Sequence, residues 1–226
     1  MVPPHGLDDR PPISSPLRRR IALELAVLTR GTPLFLRYGP RDSALYVTLA
    51  ALFGCFIAMT ARETRQRIWG DPVEAKAVRM RRSVFTLTVL TAPTAILFFG
   101  WSVAQGRHVA YGNMLLALGL YFLWAGLQQA IFQFYLHGRL RALLPSVAPS
   151  LLWTINGLAY GLVHFPKYEL MALTGVAGVI WSYSYRRDRL LLPIAASHAV
   201  LGTGYYYWVV GDDMIVEIAA RLAGTY

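Results

Sequence analysis

The sequence predicts an all-α, polytopic membrane helix bundle. Three observations carry that prediction. Of 226 residues, 55% are hydrophobic and only 15% are charged, against about 25% charged in a soluble domain. Mean hydropathy is +0.41. Six uncharged apolar runs, at 43–61, 83–104, 109–136, 142–163, 170–185 and 190–211, come near the roughly 20 residues that a helix needs to cross a hydrocarbon core about 30 Å thick.

Residues 1–20 are Pro-rich and end in Arg18, Arg19 and Arg20, which reads as a polar tail. No signal peptide is expected there, because Glu24, Arg30 and Arg37 interrupt the segment that follows. Residues 21–38 read as an amphipathic helix and turn at the interface, so 1–42 forms a polar and interfacial N-terminal region. The bundle itself is expected over 43–211, as about six spanning helices, with 212–226 a short amphipathic tail.

Among the six runs, the third is long enough to tilt or protrude. The fifth is short and is expected to extend back through Tyr168 and Glu169. Tyr and Trp gather near run ends, at Trp101, Tyr183, Tyr185 and Tyr205 to Trp208, which suits either an interfacial belt or core packing.

The net charge of +10 does not indicate nucleic-acid binding. The basic residues sit between apolar runs, with no basic groove interleaved with aromatics. There they meet the lipid bilayer, the one partner that composition implies, and set topology. Alternate loops carry twelve against two Lys and Arg residues, which puts the first set in the cytoplasm. The N-terminal region 1–42, with seven more, would then lie outside unless an N-terminal segment inserts. These counts leave the orientation open. Cys55 is the single cysteine, so neither a disulfide framework nor a CxxC site exists.

Polar residues inside apolar runs are the candidate site, because burying them in lipid is costly. Gln128, Gln129 and Gln133 lie in LQQAIFQFYLH. On a helix Gln129 and Gln133 are i,i+4 neighbours, His137 continues their stripe, and Gln128 and Phe132 form the adjacent one. Asn156, Tyr160 and His164 share a face of the fourth run, and His198 sits mid-way along the sixth, one turn before Gly202 and Thr203. Three helices could thus bring polar side chains to one interior pocket. The competing reading is interhelical hydrogen-bond glue, worth about 1 kcal/mol per residue. His137, beside Arg139 at a run end, reads as interfacial.

The order QQAIFQ, YGLVH, SHAVLG resembles the CPBP family, which contains the type II CAAX prenyl proteases and Abi-type bacteriocin-processing or self-immunity proteins. The family pattern is EExxxR, then FxxxH, then HxxxN or HxxxD, on successive membrane helices. The intervening GVAGVIWSYSYRRDRLLLPIAASHA is also similar, with its Gly-rich helix, basic turn and Pro-containing final helix. The likeness covers roughly residues 110–205.

The resemblance implies that His164 and His198 occupy the positions that orient water and stabilise the oxyanion. Tyr160 takes the Phe position. Gln128 replaces the general-base glutamate, Gln129 and Gln133 replace the second glutamate and the arginine, and Gly202 replaces the last Asn or Asp. A glutamine amide cannot accept the proton that a carboxylate accepts. The paired change at 129 and 133 removes both members of a buried ion pair, avoiding a stranded charge worth roughly 3–5 kcal/mol. It would let the two amides hydrogen-bond to each other.

No cofactor is implied. Two histidines with no nearby carboxylate make an incomplete zinc site, and no HExxH occurs. Rhomboid-type serine chemistry lacks its GxSx turn, and Ser197 points about 100° away from His198 on a helix. Asp212 and Asp213, at a run end, read as a solvated pair rather than an aspartyl dyad.

Three functions stay open. The first is a CPBP-type homologue that binds a hydrophobic or lipidated peptide, with peptidase activity weak, altered or lost. The second is an active intramembrane endopeptidase using His164 and His198, helped by Asn156. The third is a non-enzymatic immunity, assembly or transport protein. The expected location is integral to a membrane, the bacterial inner membrane in particular.

Overall fold

A computed structural model describes residues 15–26, 73–107 and 112–222. The first apolar run, with Cys55, lies outside these residues, as do the polar N-terminus and most of the interfacial segment. The described residues are helical, and no strand occurs among them. They fall into two compact units, one within Met1–Arg41 and Phe134–Ser182, the other within Asp42–Gln133 and Tyr183–Tyr226.

The helices are α1 (Ser15–Ala26), α2 (Val73–Ala104), α3 (Met114–Gln129), α4 (His137–Leu143), α5 (Pro149–Leu162), α6 (Tyr168–Asp188), α7 (Leu192–Gly204) and α8 (Met214–Leu222). A π-helical segment, Ala130–Leu136, joins α3 to α4, and a second, Tyr205–Val210, follows α7. In the N-terminal region the described helix starts six residues before the expected start at residue 21. Helix α1 begins at Ser15, so Arg18 and Arg19 are helical and exposed while Ile21 is buried. Pro16 in the first turn and the run of Arg, Ala and Leu after it favour that early start.

Among the described residues, two helical stretches are long and apolar enough to cross a membrane, Lys76–Ala104 and Met114–Leu143. In their most apolar windows only 11% and 17% of residues are buried. A soluble core helix would hide that surface. Here Leu97 is 70% and Leu115 81% exposed, as lipid-facing side chains would be.

Helix boundaries depart from the apolar runs for local reasons. Helix α2 starts ten residues before its run because Glu74, Ala75, Lys76, Ala77 and Arg79 are helix formers. At 32 residues it is about 48 Å long, more than the roughly 30 Å of a bilayer core. Pro93 sits inside it, and the Thr94 hydroxyl donates to the Leu90 carbonyl (2.8 Å) beside that break. The fourth run is not one helix over 142–163. Helix α5 begins at Pro149, because Pro pushes Ala148 into extended backbone (ψ 136°). Its 14 residues reach only about 21 Å. Helix α6 begins at Tyr168, as its sequence suggests.

In the second unit, α7 packs along α3 and α2, and the following π segment packs on α2. Phe98 meets Tyr205 and Phe99 meets Trp208 edge-on, at 5.8 and 5.6 Å between ring centroids. Tyr207 is fully buried while Trp101 is half exposed, so the terminal aromatics serve core packing and surface both. Arg82 and Arg187 share the buried carboxylate of Asp188, at 2.8 Å from Arg82 Nε and 2.7 Å from Arg187 Nη2. The aspartate pair is not uniformly solvated. Asp212 is exposed, but Asp213 caps α8, accepting from the Ile215 amide (2.9 Å), Tyr207 Oη (3.0 Å) and Asn113 Nδ2 (3.1 Å).

In the first unit, α1 packs on α4 and α4 on α5. Helices α5 and α6 meet through glycines. A Cβ on Gly161 would come within 2.6 Å of the Met171 carbonyl, and one on Gly178 within 3.0 Å of Gly157 Cα. The missing side chains allow backbone-to-backbone approach, as in membrane helix pairs.

Candidate functional site

Helix α3 aligns Tyr121, Ala125 and Gln129, each four residues apart, on one face. Ala125 and Gln129 are fully buried. The helix then widens into its π segment at Ala130. Such π turns are rare and frequent at functional sites, and this one contains Phe132 and Gln133. Gln133 and His137 continue the buried side, and His137, expected at the run end, is almost fully buried in the protein. Gln128 and Phe132 stand on the half-buried side.

His198, in the middle of α7, is buried against this face. Its Nδ1 lies 3.3 Å from Gln129 Nε2, and its Nε2 lies 3.4 Å from Tyr121 Oη. The two rings meet edge-on, 5.5 Å apart at 84°. With the amide nitrogen donating, Nδ1 is an acceptor and Nε2–H points at the phenol oxygen. Both ring nitrogens are therefore engaged. The expected Gln129–Gln133 amide pair does not form: Gln129 turns its donor to His198, and its Oε1 meets no donor among the described residues. The π segment explains the difference, because it breaks the α-helical i,i+4 register assumed for that pair.

Gly202, one turn after His198, has a structural reason. A Cβ there would run into the ring of Tyr121. Ser197, dismissed as a nucleophile, is bonded to Thr91 (2.7 Å) instead.

The other predicted stripe lies in the first unit. Asn156 and Tyr160 are buried on α5, and His164 follows in the turn after it. Asn156 Nδ2 donates to Ser182 Oγ (2.8 Å), which donates to the Gly178 carbonyl (2.7 Å). Tyr160 packs edge-on against Trp181, 5.4 Å between centroids.

His164 Nδ1 lies 3.2 Å from the Tyr160 carbonyl and 3.3 Å from Thr174 Oγ1. Thr174 gives its own proton to the Leu170 carbonyl (2.6 Å), so its oxygen accepts. Both neighbours of Nδ1 are acceptors, and Nδ1 must carry the proton. In the neutral ring the lone pair is then on Nε2.

Tyr121, Thr174 and Ser182 were not singled out from the sequence. Tyr121 had a signal, its eight-residue spacing from Gln129 on one helix face. Thr174 and Ser182 read as ordinary small polar residues of a membrane helix. Among the described residues no three His, Cys, Asp or Glu side chains group closely enough to hold a metal ion.

A family model described as "Type II CAAX prenyl endopeptidase Rce1-like" matches residues 110–203. No curated protein and no solved structure matches the chain. The matched segment contains Gln128, Gln129, Gln133, His164, His198 and Gly202. This segment, 110–203, coincides with the stretch over which the sequence resembles the CPBP family, so the chain is similar there to type II CAAX prenyl endopeptidases.

Proposed function

We propose that this chain is an integral membrane CPBP-type homologue of about six spanning helices, set in a bacterial inner membrane, that binds a hydrophobic or lipidated peptide segment and whose peptidase activity is weak, altered or lost. The observation that carries this reading is the Gln129–His198 bond. At the second family carboxylate position stands an amide, and its donor is committed to the histidine. At the first stands Gln128, an amide that is not basic at any physiological pH. What remains suits binding: polar groups within an apolar wall give orientation, and the wall gives affinity.

A second reading, an active endopeptidase, is favoured by His164. Its Nδ1–H is held by the Tyr160 carbonyl and Thr174, the second-atom arrangement that fixes a histidine's tautomer when its other nitrogen acts as base. Activity then rests on this residue.

The deciding experiment is a cleavage and binding assay in proteoliposomes with a pool of lipidated and transmembrane peptides. The chain as it stands is compared with Gln128→Glu/Gln129→Glu/Gln133→Arg and with His164→Ala/His198→Ala. Binding without cleavage by the unaltered chain, and cleavage after restoration, is the expected result. Cleavage by the unaltered chain that disappears with the histidines supports the second reading. Neither binding nor cleavage by any variant overturns both.

A further inference from the structure

We propose that Tyr121 is the positioning residue of His198, occupying the space that a side chain at 202 would otherwise fill. Three contacts on two helices make the case. Tyr121 Oη reaches His198 Nε2, its ring lies edge-on to the imidazole, and the same ring stands where a Cβ on residue 202 would be. His198 and Gly202 are one turn apart on α7, and Tyr121 and Gln129 are two turns apart on α3. The imidazole is thus held from both sides by one helix, by an amide at Nδ1 and a phenol at Nε2.

The glycine and the tyrosine form one device. Any side chain at 202 displaces the tyrosine ring and with it the partner of Nε2. Conversely, shortening Tyr121 leaves a gap beside Gly202 and frees one edge of the imidazole. Gln129 alone cannot fix the ring, because a glutamine amide can turn to serve Nδ1 as donor or acceptor. The phenol adds a second, distant point of attachment, and with both ring nitrogens and one ring edge engaged a flip of the imidazole breaks contacts on both sides.

This rests on reading His198 as a site residue, and its test is independent of any peptide. The full chain, labelled with ¹⁵N-histidine, is placed in lipid nanodiscs, and His198 is assigned by its loss in His198→Gln. In Tyr121→Phe the ring is kept and only the hydroxyl goes. The His198 Nε2 resonance is expected to move, and the imidazole population outside the Gln129-bonded rotamer to rise about fivefold, as loss of one hydrogen bond allows. His164 signals stay in place.

Gly202→Ala is expected to produce the same His198 change together with a lower unfolding temperature. Adding Tyr121→Ala to Gly202→Ala should recover the stability but not the Nε2 signal. Unchanged His198 resonances in Tyr121→Phe overturn the proposal, as does a Gly202→Ala chain with native His198 signals. If Tyr121→Phe moves His198 while no lipidated peptide binds in the same nanodiscs, the positioning role stands and the binding function falls.

Discussion

Gln129 and His198 are joined side chain to side chain, Nε2 to Nδ1 at 3.3 Å, with both residues buried. A buried pair of this kind matters more when broken than when formed, because the orphaned group has no water to turn to. Gln129→Leu should therefore destabilise the chain by about 1–3 kcal/mol. Gln129→Glu should be tolerated far better, since a carboxylate can accept from a protonated Nδ1. Thermal unfolding in detergent checks both. Equal losses in the two variants would show that packing volume, not the hydrogen bond, decides.

The glycine contact between α5 and α6 gives a second prediction. Gly161→Ala drives a Cβ towards the Met171 carbonyl, a backbone atom that cannot swing aside. Overpacking of this sort costs about 1–3 kcal/mol. Gly100→Ala, in α2 with nothing within 4 Å of the added carbon, should instead stabilise by about 0.5–1 kcal/mol through helix propensity. Opposite shifts in unfolding temperature are the expected outcome.

Asp188 offers a third. Its carboxylate is fully buried between Arg82 and Arg187. Asp188→Ala leaves two guanidiniums facing each other, and breaking such a pair costs about 3–5 kcal/mol. Arg82 is half exposed, so Arg82→Gln should cost much less. The ratio of the two losses, read from denaturation curves, tests whether burial of the carboxylate governs this end of the unit.

Much of this was legible in the sequence, for identifiable reasons. The all-helical class followed from apolar runs too long and too uncharged for anything else. The motif positions followed from polar residues placed where polarity is expensive. Helix α6 starts at Tyr168 because the apolar run was visibly too short without it. What was not legible came from two sources. A π segment differs from an α-helix by one hydrogen-bond register, and AIFQFYL carries no residue that announces it. Nonlocal partners leave no local trace either: Arg82 and Asp188 are 106 residues apart, and Tyr121 is 77 from His198. Gly202 read as the loss of a side chain; only its neighbour across the helix pair gives the loss a purpose. Asp213 was the avoidable miss, since an Asp directly before an apolar periodic segment is an N-cap signal.

That cap supports a prediction about pH. Burial opposes ionisation of Asp213, but hydrogen bonds from Tyr207 Oη, the Val216 amide, Asn113 Nδ2 and the Ile215 amide outweigh it and hold the carboxyl below its usual value. A group whose folded pKa is depressed binds its proton more readily when unfolded, so the stability it lends is present above the unfolded value and fades as pH falls through the folded one. The last helix, α8, should accordingly be firmly docked at neutral pH and loosen as the solution is acidified past the ordinary Asp range. Asp213→Asn keeps an oxygen that can accept from the amides but carries no charge, and should remove the acid-dependent part while leaving much of the cap. Amide exchange in Met214–Leu222, followed from neutral to acid pH, reads this directly. Protection that falls with acid in the natural chain and stays level in Asp213→Asn is the expected pair of curves. If both chains lose protection in parallel, another group governs the docking of this helix and Asp213 is only a geometric cap.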